Sequence, residues 1–191
     1  MRKHHHFRFN LCHTAKTVLA AWLWTLAPYA LADAEKLQSV HQWIEEKYPA
    51  VDHVDSDEYL AEVAGSNEVV VFDVREPEEY AVSHLEGAIQ VDPEIDHDIF
   101  IQQYSKALSG KTVVFYCSVG RRSSLLADTV SDALIEAGSG DIYNLKNGIF
   151  GWHNESRPLT RNNQSIDYVH PYSWRWKRYL ERKDLTTYKI D

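Results

Sequence analysis

The sequence predicts an α/β protein, a parallel sheet with helices on both faces. Strand-length apolar runs alternate with stretches of helical periodicity, an order that builds parallel sheets rather than sandwiches. One run, Thr112-Val113-Val114-Phe115-Tyr116, is β-branched or aromatic throughout and reads as a buried strand. It stops at Cys117, passes a short loop containing Gly120, and enters a helix over 123–136 marked by Leu125, Leu126, Val130 and Leu134.

Taken in chain order, residues 1–32 read as a cleaved signal peptide. Arg2, Lys3 and Arg8 make a basic start, an apolar run covers 17–27, and Ala30-Leu31-Ala32 puts small residues where cleavage before Asp33 needs them. The run is short for a bilayer span, so the expectation is export, to a bacterial periplasm. Cleavage removes Cys12 and the His4-His5-His6 run and leaves Cys117 as the sole cysteine. A lone thiol in an oxidising compartment has no internal disulfide to form, which marks it as reactive.

Residues 33–53 form an N-terminal helical extension, with Leu37, Val40, Ile44 and Tyr48 on one face of a helix over 34–48 and Pro49 stopping it. A domain follows over 54–158. Asp55-Ser56-Asp57-Glu58 supplies cap residues and first-turn acids for a short helix over 55–63. The strand over 69–72 ends in Asp73 and Arg75, where a parallel sheet presents its functional edge. Two roles compete for that pair: contact with substrate, or an ion-pair network, Arg75 with Glu79, bracing the loop against a helix over 77–82. The structural role is the one expected, and His84 is read in the same way. A strand over 89–91, a helix over 99–108 ending at Gly110, and a last strand over 142–145 complete the alternation.

Residues 159–191 form a C-terminal aromatic and basic extension. Arg161 to Ser165 reads as a polar linker, and Pro171 opens a helix-like run in which Tyr172, Trp176, Tyr179 and Leu180 share a face. Packing back on the domain, against the helix over 34–48, is the expected role; docking a protein partner or lying on a membrane surface are the alternatives.

Charge narrows the function. The formal charge is −8, and without residues 1–32, which carry four basic residues and no acid, 16 basic face 28 acidic residues, or −12. Such a body does not bind nucleic acid or anionic membrane non-specifically. Anion binding must be local.

The loop Cys117-Ser118-Val119-Gly120-Arg121-Arg122-Ser123 meets that requirement. Its N–H groups and the following helix N-terminus favour negative charge, and both favour the thiolate of Cys117. Arg121 and Arg122 add two permanent positive charges. These residues resemble the active-site loop of the rhodanese (sulfurtransferase) family, whose pattern of Cys, two residues, Gly, one residue, then Arg or a small polar residue falls on Cys117, Gly120, Arg122 and Ser123. The resemblance extends to Asp73-Val74-Arg75-Glu76-Pro77-Glu78-Glu79-Tyr80, to His84-Leu85-Glu86-Gly87-Ala88-Ile89, and to Asn147-Gly148-Ile149-Phe150-Gly151-Trp152.

The resemblance implies a five-stranded parallel sheet and sulfur transfer by covalent catalysis at Cys117. A thiosulfate-like donor leaves a persulfide cradled by Ser118, Val119, Gly120, Arg121, Arg122 and Ser123, and a thiol or cyanide-like acceptor collects the sulfur. Either arginine can bind the donor, and the family pattern favours Arg122. No cofactor or metal is called for. Two other classes compete: a non-catalytic sulfur-sensing or partner-docking module, and a cysteine phosphatase or arsenate reductase. Loops of the latter hold five residues between Cys and Arg; here there are four.

Overall fold

Strands with apolar residues at every position need cover on both sides, and the sheet is built accordingly. The computed structural model describes residues 27–65 and 68–189. Five strands, β1 (Asp52–Val54), β2 (Val69–Asp73), β3 (Ile89–Gln90), β4 (Thr112–Tyr116) and β5 (Ile142–Leu145), pair in parallel in the order β1-β5-β4-β2-β3. The helices are α1 (Ala27–Lys47), α2 (Ser56–Ala64), α3 (Pro77–Val82), α4 (His97–Leu108), α5 (Arg121–Glu136) and α6 (Gly148–Asn154).

Strand period two divides the core. Val71, Val114, Tyr116 and Leu145 face one way, onto Tyr59 of α2 and Ile149, Phe150 and Trp152 of α6. Phe72, Val113 and Phe115 face the other, onto Phe100 of α4 and Leu126, Val130 and Leu134 of α5. Phe72 stacks on Phe115 at 5.4 Å and meets Phe100 edge-on at 5.2 Å. Each such fully buried ring contributes about 1.5–3 kcal/mol. Helix α1 crosses the edge of the sheet and serves both layers, Leu37 in the first and Ile44 in the second.

Local chemistry sets the helix starts. Asp55 accepts from the N–H groups of Asp57 and Glu58 while Glu58 reaches back to the Asp55 N–H, a complete capping box. Asp96 caps α4 by accepting from the N–H groups of Asp98 and Ile99, and the helix starts at His97, two residues before the predicted Ile99. Helix α5 begins at Arg121, again two residues early, because Gly120 takes a left-handed φ of 99° and turns the chain straight into it.

Four expectations need correction or completion. Strand β1 was too short, at three residues, to carry a period; it pairs Asp52, His53 and Val54 with Tyr143, Asn144 and Leu145 and supplies the fifth strand. The supposed polar linker over 161–165 belongs to an antiparallel hairpin, β6 (Leu159–Arg161) and β7 (Gln164–Ile166). Asn162 and Asn163 turn it with φ of 51° and 60°, the two left-handed residues that a tight hairpin requires. The run after Pro171 is not a continuous helix. Tyr172 has a φ of 59°, which breaks it, and only 3-10 turns form, over Trp176–Tyr179 and Lys183–Leu185. The tail does fold back: Tyr179 and Leu180 are buried, and Asn154 of α6 donates to the Tyr179 carbonyl and accepts from the Glu181 N–H. The fourth correction, the partner of Arg75, belongs to the site.

The predicted signal peptide lies outside the described residues over 1–26, and residues 27–32 are backbone of α1. Among the described residues no helix is long and apolar enough to cross a membrane.

Candidate active site

Strand β4 delivers Cys117 to the C-terminal edge of the sheet, and helix α5 starts four residues later. Between them the chain must turn with its N–H groups inward, and the segment behind it makes it do so. The N–H groups of Ile149 and Phe150 donate to the carbonyls of Cys117 and Ser118 at 2.9 and 3.0 Å, which pulls those carbonyls away from the thiol. That contact is possible because residue 148 is glycine. A Cβ on Gly148 would overlap the Cys117 carbonyl oxygen and lie 2.9 Å from the Ser118 carbonyl.

The inward face is an anion cradle. Gly120 N–H donates to Cys117 Sγ at 3.3 Å. The thiol is 1% exposed, and burial alone raises its pKa; the Arg122 charge, the Ser123 and Val119 N–H groups and the Ser123 hydroxyl more than offset this and hold it below the ordinary value. The Ser123 hydroxyl is buried beside the thiol, where it favours the charged form of Cys117.

Arg122 faces the cradle and Arg121 does not. Arg122 Nη1 lies 2.8 Å from Glu79 Oε2, and Nη2 donates to Glu79 Oε1 at 3.1 Å and to Ser118 Oγ at 3.0 Å. Ser118 Oγ donates in turn to Glu79 Oε1 at 2.7 Å. Glu79 is buried, which favours its neutral acid, but the Arg122 and Ser118 bonds and the Arg75 charge prevail and hold its pKa below the usual carboxylate range. Arg121 instead points outward over the Trp43 ring, 6.0 Å from its centroid.

Glu79 was expected to pair with Arg75, and it does not. Arg75 Nε and Nη2 donate to the Asp73 carboxylate at 2.8 and 2.6 Å, and Nη2 also reaches the Ser83 carbonyl at 2.7 Å. A residue two positions away on an extended strand end reaches a bidentate pair more easily than one on the next helix. Tyr116 OH completes the group, donating to Asp73 at 2.6 Å and accepting from the Leu85 N–H at 3.2 Å. Asp73, Arg75 and Tyr116 are fully buried beneath the loop and fix the residue before Cys117. His84 stacks on Tyr80 at 3.8 Å, its Nδ1 lies 3.0 Å from the Tyr80 carbonyl, and its backbone bridges to Thr160. Asp73, Arg75 and His84 thus each contact other groups of the fold.

Above Sγ lies a pocket of about 120 Å³, bounded by the loop, Arg121, Arg122 and two tail residues, Tyr172 and Trp176. The Tyr172 ring covers Arg122 at 4.9 Å. Three contributors to the site were missed from sequence: Glu79 as the holder of Arg122, and Tyr172 and Trp176 as its roof. The charge at position 79 was noticed but assigned to the nearer arginine. Nothing in the sequence links residue 172 to residue 117.

Comparison with known proteins places this geometry. Residues 56–155 match the rhodanese-like domain family. A sulfurtransferase of Allochromatium vinosum is 29% identical over 109 residues, 57% of this chain and 94% of that protein. A tRNA uridine(34) hydroxylase of Oceanobacillus iheyensis is 35% identical over 82 residues, 42% of this chain and 24% of that protein. Among solved structures, the thiosulfate sulfurtransferase of Pseudomonas aeruginosa superposes with a TM-score of 0.50 at 18% identity, over 77% of this chain and 26% of that one, a likeness of fold.

Proposed function

The chain belongs to the rhodanese-like domain family, and on that footing we propose that it is a sulfurtransferase working through a persulfide on Cys117. One observation carries the reading: a buried thiol, held below its ordinary pKa, faces inward N–H groups and the Arg122 charge in a pocket of about 120 Å³. That volume suits a small anion and a single added sulfur.

The steps follow from these groups. Cys117 thiolate attacks the outer sulfur of thiosulfate, the bond between its two sulfurs breaks, and sulfite leaves with the electron pair. The donor is dianionic, and Arg122 together with the loop N–H groups offsets part of that charge at the point of attack. The persulfide keeps its negative charge on the outer sulfur, among the N–H groups of Val119, Gly120 and Ser123. A nucleophilic acceptor then attacks that sulfur, and the pair returns to Sγ. Charge at the cradle stays negative through both halves, so one fixed set of donors serves each transition state. Site and tail are proposed to operate in an exported protein, as the features of residues 1–32 suggest.

The test is intact mass of the purified chain after thiosulfate, beside a Cys117→Ala control. Gain of one sulfur, reversed by cyanide and absent from the control, is the expected result. No gain on reduced, folded protein overturns the reading, and turnover of an aryl phosphate instead would assign the cradle to phosphate chemistry.

A further inference from the structure

A second, larger cavity opens beside the cradle. It holds about 770 Å³ and runs between α1 and the 3-10 turn of the tail. Lys36, Trp43, Arg121, Trp176, Arg178 and Tyr179 line it, and Arg121 and Trp176 also line the pocket over Cys117. The two spaces therefore share a wall, and a ligand seated in the larger one can extend an arm toward Sγ. Apart from Arg121, all of these side chains lie outside the residues that match the family domain.

The chemistry of the walls is selective. Every charged residue among the lining is positive, although the chain as a whole carries −8. Neither Arg121 nor Arg178 forms an ion pair with a carboxylate among the described residues; Arg121 lies over Trp43, and Arg178 lies over Tyr179 and donates to its hydroxyl at 2.8 Å. Each guanidinium rests near an aromatic ring of the same wall, and both side chains line the cavity. A volume of this order fits a small molecule rather than a protein segment. Local positive charge in an acidic body attracts anions only at short range, which favours a ligand with several carboxylates over a distant steering effect.

We propose that this groove is the acceptor subsite and that it takes a carboxylate-bearing thiol of about tripeptide size. The proposal rests on the persulfide reading above. The ligand's carboxylates meet Arg121 and Arg178, and its thiol passes Trp176 to reach the cradle. Its thiolate attacks the outer persulfide sulfur, a new S–S bond forms, the Cys117 S–S bond breaks, and its electron pair returns to Sγ as thiolate. The thiol proton goes to solvent before attack, and no oxidant or reductant is consumed.

Single-turnover discharge tests it. The Cys117 persulfide is formed with thiosulfate, desalted, and mixed with glutathione, which carries two carboxylates, or with neutral 2-mercaptoethanol, each rate being corrected for its thiolate fraction. Glutathione is expected to react faster, and Arg178→Glu, an exposed position whose reversal is checked for fold by circular dichroism, is expected to lower the glutathione-to-mercaptoethanol ratio about fivefold. S-methylglutathione, which cannot accept sulfur, should compete and slow discharge by glutathione, and discharge unaffected by it would overturn the subsite. Equal corrected rates for the two thiols, or a ratio unmoved by Arg178→Glu, overturn the acceptor subsite while the persulfide reading stands. If thiosulfate forms no persulfide at all, it is the parent reading that has failed, together with this one.

Discussion

Glu79 grips Arg122 through both carboxylate oxygens, at 2.8 and 3.1 Å, while being itself only 1% exposed. The pair joins the first turn of α3 to the first turn of α5, so it fixes a guanidinium over the thiol from a different part of the chain. Glu79→Gln keeps the shape and removes the charge. The buried amide then offers an N–H where Arg122 or Ser118 also donates, and the variant should lose about 1–3 kcal/mol in urea denaturation. Thiosulfate KM should rise several-fold, with a smaller change in kcat, since the loss is in holding the donor-binding group. Unchanged stability together with unchanged KM would mean that Arg122 stands without Glu79.

The thiol itself gives a second measurement. Cys117 should be alkylated by iodoacetamide with a midpoint below that of the same thiol in the unfolded chain. Arg122 favours the charged form, so Arg122→Gln raises that midpoint, and the carboxylate of Glu79, now unpaired nearby, pushes it the same way. An upward shift of the midpoint is the expected result. A midpoint that stays in place would assign the lowering to the loop N–H groups alone.

Sequence made the cradle legible because a strand, a cysteine, a glycine and a helix are contiguous, and local order decides the loop's form. It also gave four of the five strands, whose apolar runs are long enough to carry a signal. The preference for Arg122 over Arg121 came from the family pattern alone, and its geometric basis is local, the helix phase that the left-handed Gly120 sets at residue 121. What it missed was non-local. Glu79 was assigned to Arg75 by proximity in the chain, whereas Asp73 outcompetes it at two residues' distance. The tail was read by helical spacing, and one residue, Tyr172, with a positive φ cancels that spacing.

Gly148 offers a sharper test of how the loop is held. Its φ is 55°, and any Cβ would drive into the Cys117 and Ser118 carbonyls, so Gly148→Ala must move one segment off the other. The loss should be about 2–4 kcal/mol, as for other substitutions that force backbone apart at a special φ. Persulfide yield should fall in the protein that remains folded, because the carbonyls are no longer drawn outward. Gly87→Ala, at a φ of 74° with nothing within 4 Å, is the control for the φ penalty alone.

Acid sensitivity should appear behind the cradle as well as in it. His53 accepts an N–H from Asn144 at its Nδ1, 3.2 Å away, and burial, then the neighbouring His41, pushes its pKa down to about 4. Unfolded, it titrates near 6.5. Between those values the unfolded chain binds a proton that the folded one refuses, so this contribution to stability is complete above about pH 6.5 and is lost as pH falls toward 4. Urea midpoints should decline over that window, and His53→Gln should decline less steeply. Parallel slopes for the two proteins would move the effect elsewhere, to carboxylates such as Glu79.

Tyr172 is the tail's contribution to the cradle, and its backbone shows a conflict that can be measured. A left-handed φ costs a tyrosine about 1–2 kcal/mol, and it is held there by donation of the Tyr172 N–H to His170 Nδ1 at 3.0 Å. In return the ring sits 4.9 Å from the Arg122 guanidinium, worth about 0.5–1 kcal/mol at a part-exposed site. Tyr172→Ala loses the ring and keeps the strain, whereas Tyr172→Gly loses the ring and relieves it. The glycine variant should therefore be the more stable of the two by about 1 kcal/mol. Both should uncover the pocket equally, so that N-ethylmaleimide gains on iodoacetamide as a reagent for Cys117 by the same factor in each. Equal reagent ratios in both variants and the wild type would show that the ring does not roof the thiol, and a glycine variant no more stable than the alanine one would show that the left-handed turn carries no strain.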